Sequence, residues 1–205
     1  VLLADLREIG AGRGSRGIAA GGGAVSGGAA VGRSLLSVAG SEGIAALGAG
    51  LQFEEAYGTM IIDMGAGVTD IAVLSLGQVT VSSCVPIGGD YFDDAIIRHL
   101  RKKYNLLIGE RTAEELKINI GSAVPRLEEI AMEVTGRNLI TGLPKTMKIS
   151  STEIYEALKD PISELIEAIQ AVIERTPPQL ASDIFNDGIV FTGGAAALTG
   201  LCEAV

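Results

Sequence analysis

Residues 63–70 read Asp-Met-Gly-Ala-Gly-Val-Thr-Asp, an acidic side chain followed by a tight turn rich in glycine. Because glycine has no Cβ, backbone N–H groups in such a turn can point at phosphate oxygens. Asp63, at the mouth of the turn, is suited to hold Mg²⁺ through water, and Thr69 offers a hydroxyl near a γ-phosphate. The spacing predicts a phosphate-binding turn, although a hairpin turn with a solvated aspartate is the simpler interpretation of this motif alone.

A second stretch of small residues follows a β-rich run near the end of the sequence. Residues 191–196 read Phe-Thr-Gly-Gly-Ala-Ala. Small side chains at that position let a flat base or a ribose approach the backbone, and a following helix N-terminus tolerates negative charge. Close packing of a strand on a helix is the alternative for this motif alone, but the two motifs together are much more informative than either.

The cysteine and histidine content excludes several other kinds of site. Cys84 and Cys202 are far apart with no C-x-x-C spacing, and His99 is the single histidine. These residues cannot build a disulfide framework or a zinc site, and no nucleophile-elbow motif supports a Ser-His-Asp triad. We therefore expect a reducing, cytoplasmic setting, with Cys84 as a small core residue.

The first fifty residues differ in composition from the rest, since they hold half of all the glycines. Glycine at that density costs backbone entropy in helices and strands, so we expect poor order from about Gly10 to Gly43. Residues 12–17 match the dinucleotide spacing G-x-G-x-x-G, but no convincing strand precedes them and Ser37 stands where an acidic residue is needed. We interpret the match as chance and set aside a Rossmann-type oxidoreductase on that ground.

Length and charge narrow the function classes further. The 205 residues suffice for one full domain or two small ones, so we do not expect a large multi-domain enzyme. The 16 basic and 25 acidic side chains give a net charge of -9, so we expect no nucleic-acid partner. The basic residues around His99 are interpreted as a solvated helix face. The longest uncharged stretch, residues 17–32, is too short to span a membrane, and no signal peptide is recognised.

Hydrophobic periodicity predicts the elements that would position the two turns. Three β-rich runs over 59–64, 70–76 and 79–85 form a meander in which the acidic turn joins the first two. A helix is expected over 90–104, and a capping box of Thr112 with Glu115 predicts another over 113–120. The remaining predictions are strands over 129–135 and 145–150 around a turn at 136–138, helices beginning after Ser150 and at Pro161, a short helix to about Phe185 and a strand over 188–192.

From about Ala45 to Leu201 the sequence resembles the second half of the MreB family, the bacterial actin-like, rod-shape-determining proteins. The resemblance covers about three quarters of the chain in the expected order. Besides the two turns, it rests on the following motifs: Gly48-Ala49-Gly50-Leu51, Ile87-Gly88-Gly89-Asp90, Gly109-Glu110-Arg111-Thr112, Gly136-Arg137-Asn138-Leu139, Gly142-Leu143-Pro144 and Thr176-Pro177-Pro178.

The resemblance implies an α/β fold, an actin-like ATPase (ribonuclease H-like) domain with an inserted smaller α+β subdomain. The expected division is an atypical, poorly ordered segment over 1–43, the nucleotide-binding subdomain over 44–110 and 151–205, and the inserted subdomain over 111–150. Family members bind ATP with Mg²⁺, hydrolyse it slowly and self-associate into membrane-associated filaments that work with the cell-wall elongation machinery. The implied location is the bacterial cytoplasm or its membrane surface.

By position, the resemblance also implies roles for individual residues. The second phosphate loop is implied by Gly65, Ala66, Gly67 and Thr69, with Asp63 as catalytic residue and magnesium ligand. The adenosine contacts are implied at Glu114, Glu115, Leu116 and Lys117, and the glycine-rich turn on the other side of the nucleotide at Gly193, Gly194, Ala195 and Ala196. Glu42 is the single candidate for the glutamate that orients the attacking water.

Three departures from the family pattern keep two functions open. The first phosphate loop of the family has no counterpart here, and Ala66 and Ala195 add methyl groups where the family has glycine. The family's membrane-binding elements lie in its first domain, which we also expect to be absent here. We expect a partial or misread coding segment upstream of about Ile44. The chain is therefore expected to be an ATP-binding cytoskeletal subunit with hydrolysis left open, and the alternative is a polymer-interaction fragment that does not bind nucleotide.

Overall fold

The computed structural model describes Leu2–Leu3 and residues 57–205. Among these residues the chain forms eight strands and five α-helices. The strands are β1 (Leu2–Leu3), β2 (Thr59–Met64), β3 (Thr69–Ser75), β4 (Gln78–Val85), β5 (Leu106–Leu107), β6 (Ala131–Asn138), β7 (Pro144–Ser150) and β8 (Ile189–Thr192). The helices are α1 (Gly89–Tyr104), α2 (Glu110–Ile120), α3 (Ser151–Arg175), α4 (Pro178–Asp187) and α5 (Leu201–Ala204), and a 3₁₀ turn covers Gly194–Ala197.

These strands form two sheets. One has the order β1-β8-β2-β3-β4, in which β1 runs parallel to β8 with Leu2 opposite Val190. The other has the order β5-β6-β7, and both of its pairings are antiparallel. The predicted strands at 59–64, 70–76 and 79–85 are confirmed within one residue at each end. Their apolar runs are the reason, because β2 and β3 are mostly buried.

The described residues divide into two compact units. The first holds 57–62, 72–82 and 176–192 together with β1, and its core includes Ile61, Val73 and Phe191. Within this unit the start of β2 lies against α4, because the Gly58 N–H donates to Asp183 Oδ2 at 2.9 Å. A Cβ on Gly58 would lie 2.8 Å from the backbone oxygen of Leu180, so only glycine fits there.

The second unit holds 63–71, 83–175 and 193–205. In it α1 packs on both α2 and α3, and β5 to β7 form the small sheet. The buried positions of α1 recur at helical spacing, and the helix ends at Asn105, which adopts the left-handed conformation with φ 51°. Phe92, Ile96 and Leu100 are fully buried along this face.

Helix α3 corrects a sequence-based prediction. The sequence predicts two helices that meet at Pro161, whereas the structure has one helix of 25 residues with Pro161 inside it. A proline inside a helix costs about 3 kcal/mol because it removes one backbone hydrogen bond. The apolar stripe continues on both sides of the proline, from Ile154 to Val172, and its burial outweighs that cost.

The predicted turn over residues 136–138 is also wrong, because these residues end strand β6. The turn lies after them, where the Asn138 side-chain oxygen accepts from the N–H groups of Ile140 and Thr141 and Gly142 takes φ +74°. Gly136 is needed for another reason. A Cβ there would lie 2.6 Å from the backbone oxygen of Leu107 in the adjacent strand.

Two smaller predictions are corrected as well. Helix α2 begins at Glu110 after Gly109, with no side-chain cap, so Thr112 is not its N-cap. Cys84 is exposed on β4 instead of lying in the core, because alternate residues of that strand face outward. None of the described helices is long and apolar enough to cross a membrane.

Candidate functional site

A cavity of about 580 Å³ opens in the second unit. Three parts of the chain line it: the turn after β2, the facing surfaces of α1 and α2, and the 3₁₀ turn after β8. The lining residues are Gly65, Ala66, Gly89, Asp90, Asp93, Glu110, Arg111, Glu114, Lys117, Ile118, Gly194 and Ala195. Its volume is within the range usual for small-molecule sites.

The turn after β2 is fixed to the start of α1 through backbone atoms. The Gly65 N–H donates to the Val68 oxygen at 2.9 Å, which closes the turn. The N–H groups of Gly89 and Asp90 then donate to the oxygens of Gly65 and Ala66 at 3.0 and 2.8 Å. These hydrogen bonds leave no room for a side chain, since a Cβ on Gly88 would lie 2.4 Å from the Ala66 oxygen.

The second small-residue turn is held against the end of β2. Gly193 adopts φ +88°, and a Cβ on it would lie 2.3 Å from the Met64 oxygen and 2.7 Å from Asp63 Oδ1. A Cβ on Gly194 would instead meet no atom within 4 Å. Both sterics and backbone conformation therefore require glycine at 193, whereas 194 tolerates a side chain.

Lys117 is the most constrained charged group of the cavity. Its ammonium donates to Asp93 Oδ2 at 2.8 Å and to the Gly89 oxygen at 3.0 Å. The two side chains are only 12% and 11% exposed. Burial raises the pKa of Asp93, against the opposing influence of the Lys117 ammonium.

Asp63 lies next to the cavity lining and not in it. Burial raises the pKa of its carboxyl group, and the charge of Asp70 raises it further. A cation beside Asp63 would relieve both effects, so the carboxylate has the chemistry that a Mg²⁺ ligand needs.

The structure brings together residues of all three predicted segments. Six of the predicted site residues line the cavity, and they are Gly65, Ala66, Glu114, Lys117, Gly194 and Ala195. The other predicted residues that the structure describes do not line it, and they are Asp63, Gly67, Thr69, Glu115, Leu116, Gly193 and Ala196. Glu42 lies outside the described residues, as do the Gly12–Gly17 spacing and the predicted segment of poor order.

Helix geometry explains why the predicted run 114–117 divides in this way. Consecutive helical residues point in different directions, so Leu116 is buried in the core and Glu115 pairs with Arg111 at 3.2 Å. Thr69 is also fully buried, and its hydroxyl donates to the Ile87 oxygen. Its proposed contact with a phosphate stays a prediction.

Several lining residues were not predicted. They are Gly89, Asp90, Asp93, Glu110, Arg111 and Ile118. The spacing of three and four residues along α1 and α2 was the signal that could have found them, because Asp90 and Asp93 share one face, as do Glu110, Glu114 and Lys117.

A second cavity, of about 350 Å³, lies between α1 and α3. Its lining includes His99, together with acidic and basic side chains of both helices. The sequence predicts His99 on a solvated face, but it is half-buried, and burial followed by the charge of Lys103 lowers its pKa. No residue of the predicted site lies in this cavity.

Comparison with known proteins adds independent findings. The model of the MreB/Mbl protein family matches residues 24–205, so the match begins earlier than the predicted start near Ile44. Cell shape-determining protein MreB of Escherichia coli (strain K12) is 50% identical over 157 residues, which are 77% of this chain and 45% of that protein. Cell shape-determining protein Mbl of Bacillus subtilis (strain 168) is 42% identical over 158 residues, 77% of this chain and 47% of that protein. The chain thus spans about half the length of the curated relatives it matches.

Solved structures of MreB proteins are also similar to this chain. MreB5 of Spiroplasma citri bound to AMPPNP is 43% identical, with a TM-score of 0.74 over 77% of this chain and 47% of that one. The same protein bound to ADP matches with the same identity and TM-score. The MamK double helical filament is 23% identical with a TM-score of 0.55, which supports likeness of fold alone.

Proposed function

The chain belongs to the MreB/Mbl family, and on that premise we propose that it binds an adenine nucleotide in the cavity of about 580 Å³ and serves as a cytoskeletal subunit in determining bacterial cell shape. The predicted actin-like α/β fold is confirmed by the structural match to MreB5. The observation that carries the proposal is that the two predicted turns, far apart in sequence, line one cavity together with helix α2.

The residues present fit a nucleotide in two respects. Among the described residues, none accepts a hydrogen bond from the backbone N–H of Ala66 or Gly67, so both groups are available to a phosphate. A Cβ on Gly67 or Gly194 would meet no atom within 4 Å, which leaves space beside both turns. Ala66 and Ala195 both line the cavity, which has a volume of about 580 Å³ with their extra methyl groups present.

We assign the roles of the two ends of the nucleotide from charge. The lining carries Asp90, Asp93, Glu110 and Glu114 against Arg111 and Lys117, so phosphates are disfavoured along the helices and belong at the turn over residues 65–68. The α2 side is left for the ribose and base, with Glu114 and Lys117 as their polar contacts. The turn over 193–196 packs against the same nucleoside.

Mg²⁺ would neutralise the phosphates and supply electrostatic stabilisation when bound. Asp63 is the residue that we propose would hold it, through water, because its carboxyl group is half-buried and already destabilised by Asp70. Glu42 stays the candidate for orienting water, and Thr69 stays the candidate for a hydroxyl contact with a phosphate. Gly193 acts on the nucleotide through the turn it supports.

The same proposal includes self-association into filaments, work with the cell-wall elongation machinery and a place in the cytoplasm at the membrane. The support is the family membership and the names of the bacterial relatives. The alternative function, polymer contact without nucleotide binding, predicts the same filament surfaces but an empty cavity.

A titration separates the two functions. The 205-residue chain is mixed with a fluorescent ATP analogue and Mg²⁺, and unlabelled ADP is added as competitor. We expect micromolar affinity and full displacement by ADP, as is usual for a preformed small-molecule site. No binding at millimolar nucleotide would contradict the proposal and favour the interaction fragment.

A further inference from the structure

The Asp93–Lys117 ion pair differs from the other ion pairs of the described residues. Those three pairs join side chains of which at least one is half exposed or more, such as Lys148 and Glu133 at 75% and 67%. Exposed pairs contribute little to stability. Asp93 and Lys117 are instead nearly buried, at the wall of the cavity.

Stability alone does not explain this pair. Removing two charges from water costs more than an ordinary ion pair returns unless every remaining polar atom has a partner. Asp93 Oδ1 is buried and has no hydrogen-bond partner among the described residues. The carboxylate therefore binds Lys117 through one oxygen and leaves the other without a hydrogen bond. This arrangement adds little to folding stability, but it fixes the position of the Lys117 ammonium.

The geometry also limits what Lys117 can bind. Two of its three N–H groups are used by Asp93 and by the Gly89 oxygen, so one is left for a ligand. The negative charge of Asp93 neutralises the positive charge of the Lys117 ammonium beside it. A neutral acceptor, such as a sugar hydroxyl, suits that remaining N–H better than a phosphate does.

We propose that Asp93 is a positioning residue, which fixes and neutralises the Lys117 ammonium so that this wall of the cavity recognises the uncharged nucleoside end of the ligand. The inference rests on the proposed function. It assigns Asp93 no contact with the nucleotide, because its second oxygen is shielded from the cavity.

The first test measures the affinities of adenosine and ADP by calorimetry in the full chain. Asp93→Asn is expected to weaken both ligands by the same factor, about tenfold, because both carry the nucleoside that Lys117 recognises. Asp94→Asn is the matched control, since Asp94 is the exposed neighbour on the same helix, and we expect less than about a twofold change. Lys117→Met should weaken binding similarly, and the double variant should be no weaker than Lys117→Met alone, because Asp93 acts through Lys117.

Different outcomes overturn different statements. If the unaltered chain binds neither adenosine nor ADP, the proposed function fails and this inference fails with it. If the unaltered chain binds both and Asp93→Asn behaves like Asp94→Asn, only the inference fails. Reductions in affinity that multiply in the double variant would also overturn it.

A second measurement uses the unaltered chain, so it does not depend on the folding of a variant. Acetic anhydride labelling followed by mass spectrometry compares Lys117 with Lys102, which is exposed on α1. We expect Lys117 to react about tenfold more slowly and to be protected further by adenosine but not by pyrophosphate. Equal labelling of the two lysines, or protection by pyrophosphate alone, would contradict the proposal.

Discussion

The two sides of the cavity differ in the groups that form them, backbone on one side and side chains on the other. One side, the backbone wall, consists of glycine and alanine residues of the two turns and the start of α1. The other, the side-chain wall, consists of residues of α1 and α2, which are all charged except Ile118. The backbone wall is shaped by the absence of side chains, so its substitutions act sterically. The side-chain wall is shaped by charge and hydrogen bonds, so its substitutions act on affinity.

The largest expected effect is at Gly193, in the backbone wall's second turn. Gly193→Ala places a methyl group 2.3 Å from the Met64 oxygen in a left-handed conformation. We expect the free energy of unfolding to fall by about 2–4 kcal/mol and nucleotide binding to be abolished with it. Urea unfolding measures the first and the fluorescent titration the second.

Gly194→Ala is the control for that substitution, because the adjacent position has open space. The expected change in unfolding free energy is within about 0.5 kcal/mol. Equal destabilisation by the two alanines would mean that the packing of the second turn on β2 does not shape this wall.

A somewhat smaller effect is expected at Gly88, where the first turn meets α1. The methyl of Gly88→Ala would lie 2.4 Å from the Ala66 oxygen and force apart the backbone hydrogen bonds from Gly89 and Asp90. We expect the free energy of unfolding to fall by about 2 kcal/mol. Gly67→Ala, on the open side of the same turn, should leave stability almost unchanged, and thermal unfolding of both variants checks the difference.

On the side-chain wall, Lys117→Met should weaken ADP binding by about tenfold and also lower the free energy of unfolding, because it leaves the nearly buried Asp93 carboxylate without its partner. Binding weakens because the substitution removes the single ligand-facing N–H that the ammonium has left. Lys148→Met is a suitable control, since Lys148 lies on β7 and is 75% exposed. An unchanged ADP affinity in Lys117→Met would remove this wall from the binding site.

The smallest effect concerns the pH dependence contributed by Asp63. Its folded pKa is raised above the value of about 3.9 for an unfolded chain, so the folded state retains the proton more strongly. Stability from this group is full below that value and falls as pH rises through the folded pKa. Asp63→Asn should therefore gain stability relative to the unaltered chain between about pH 4 and 7, by less than about 1 kcal/mol after solvent screening. Urea unfolding across that range measures it, and a trend in the opposite direction would contradict the assigned pKa shift.

The comparison of the two walls also explains what the sequence could predict. Both turns of the backbone wall were predicted from their small residues, because the two motifs together are more informative than either alone, whereas Gly89 was missed. On the side-chain wall, Glu114 and Lys117 were implied by the family resemblance alone, because their spacing looks like that of any solvated helix face until α1 is packed against α2. Asp93 was missed for the same reason, since nothing in its local sequence indicates a partner 24 residues away.

Elsewhere the missed features were those that tertiary packing decides. Strands β2 to β4 were predicted correctly from their own apolar runs. Pro161 was predicted to begin a helix, but it lies inside helix α3. Gly136 is a residue type that is common in turns, yet glycine is needed there because the backbone of β5 approaches it closely. In both cases packing between residues distant in sequence overrode a local preference.

Hydrogen–deuterium exchange of the full chain, with and without ADP and Mg²⁺, tests most directly whether the two walls form one nucleotide site. We predict that ADP slows exchange together in three segments, 65–68, 110–118 and 193–198, while the hairpin turn between β6 and β7 exchanges as before. Protection confined to one of the three segments, or found only outside them, would contradict a shared cavity for the nucleotide.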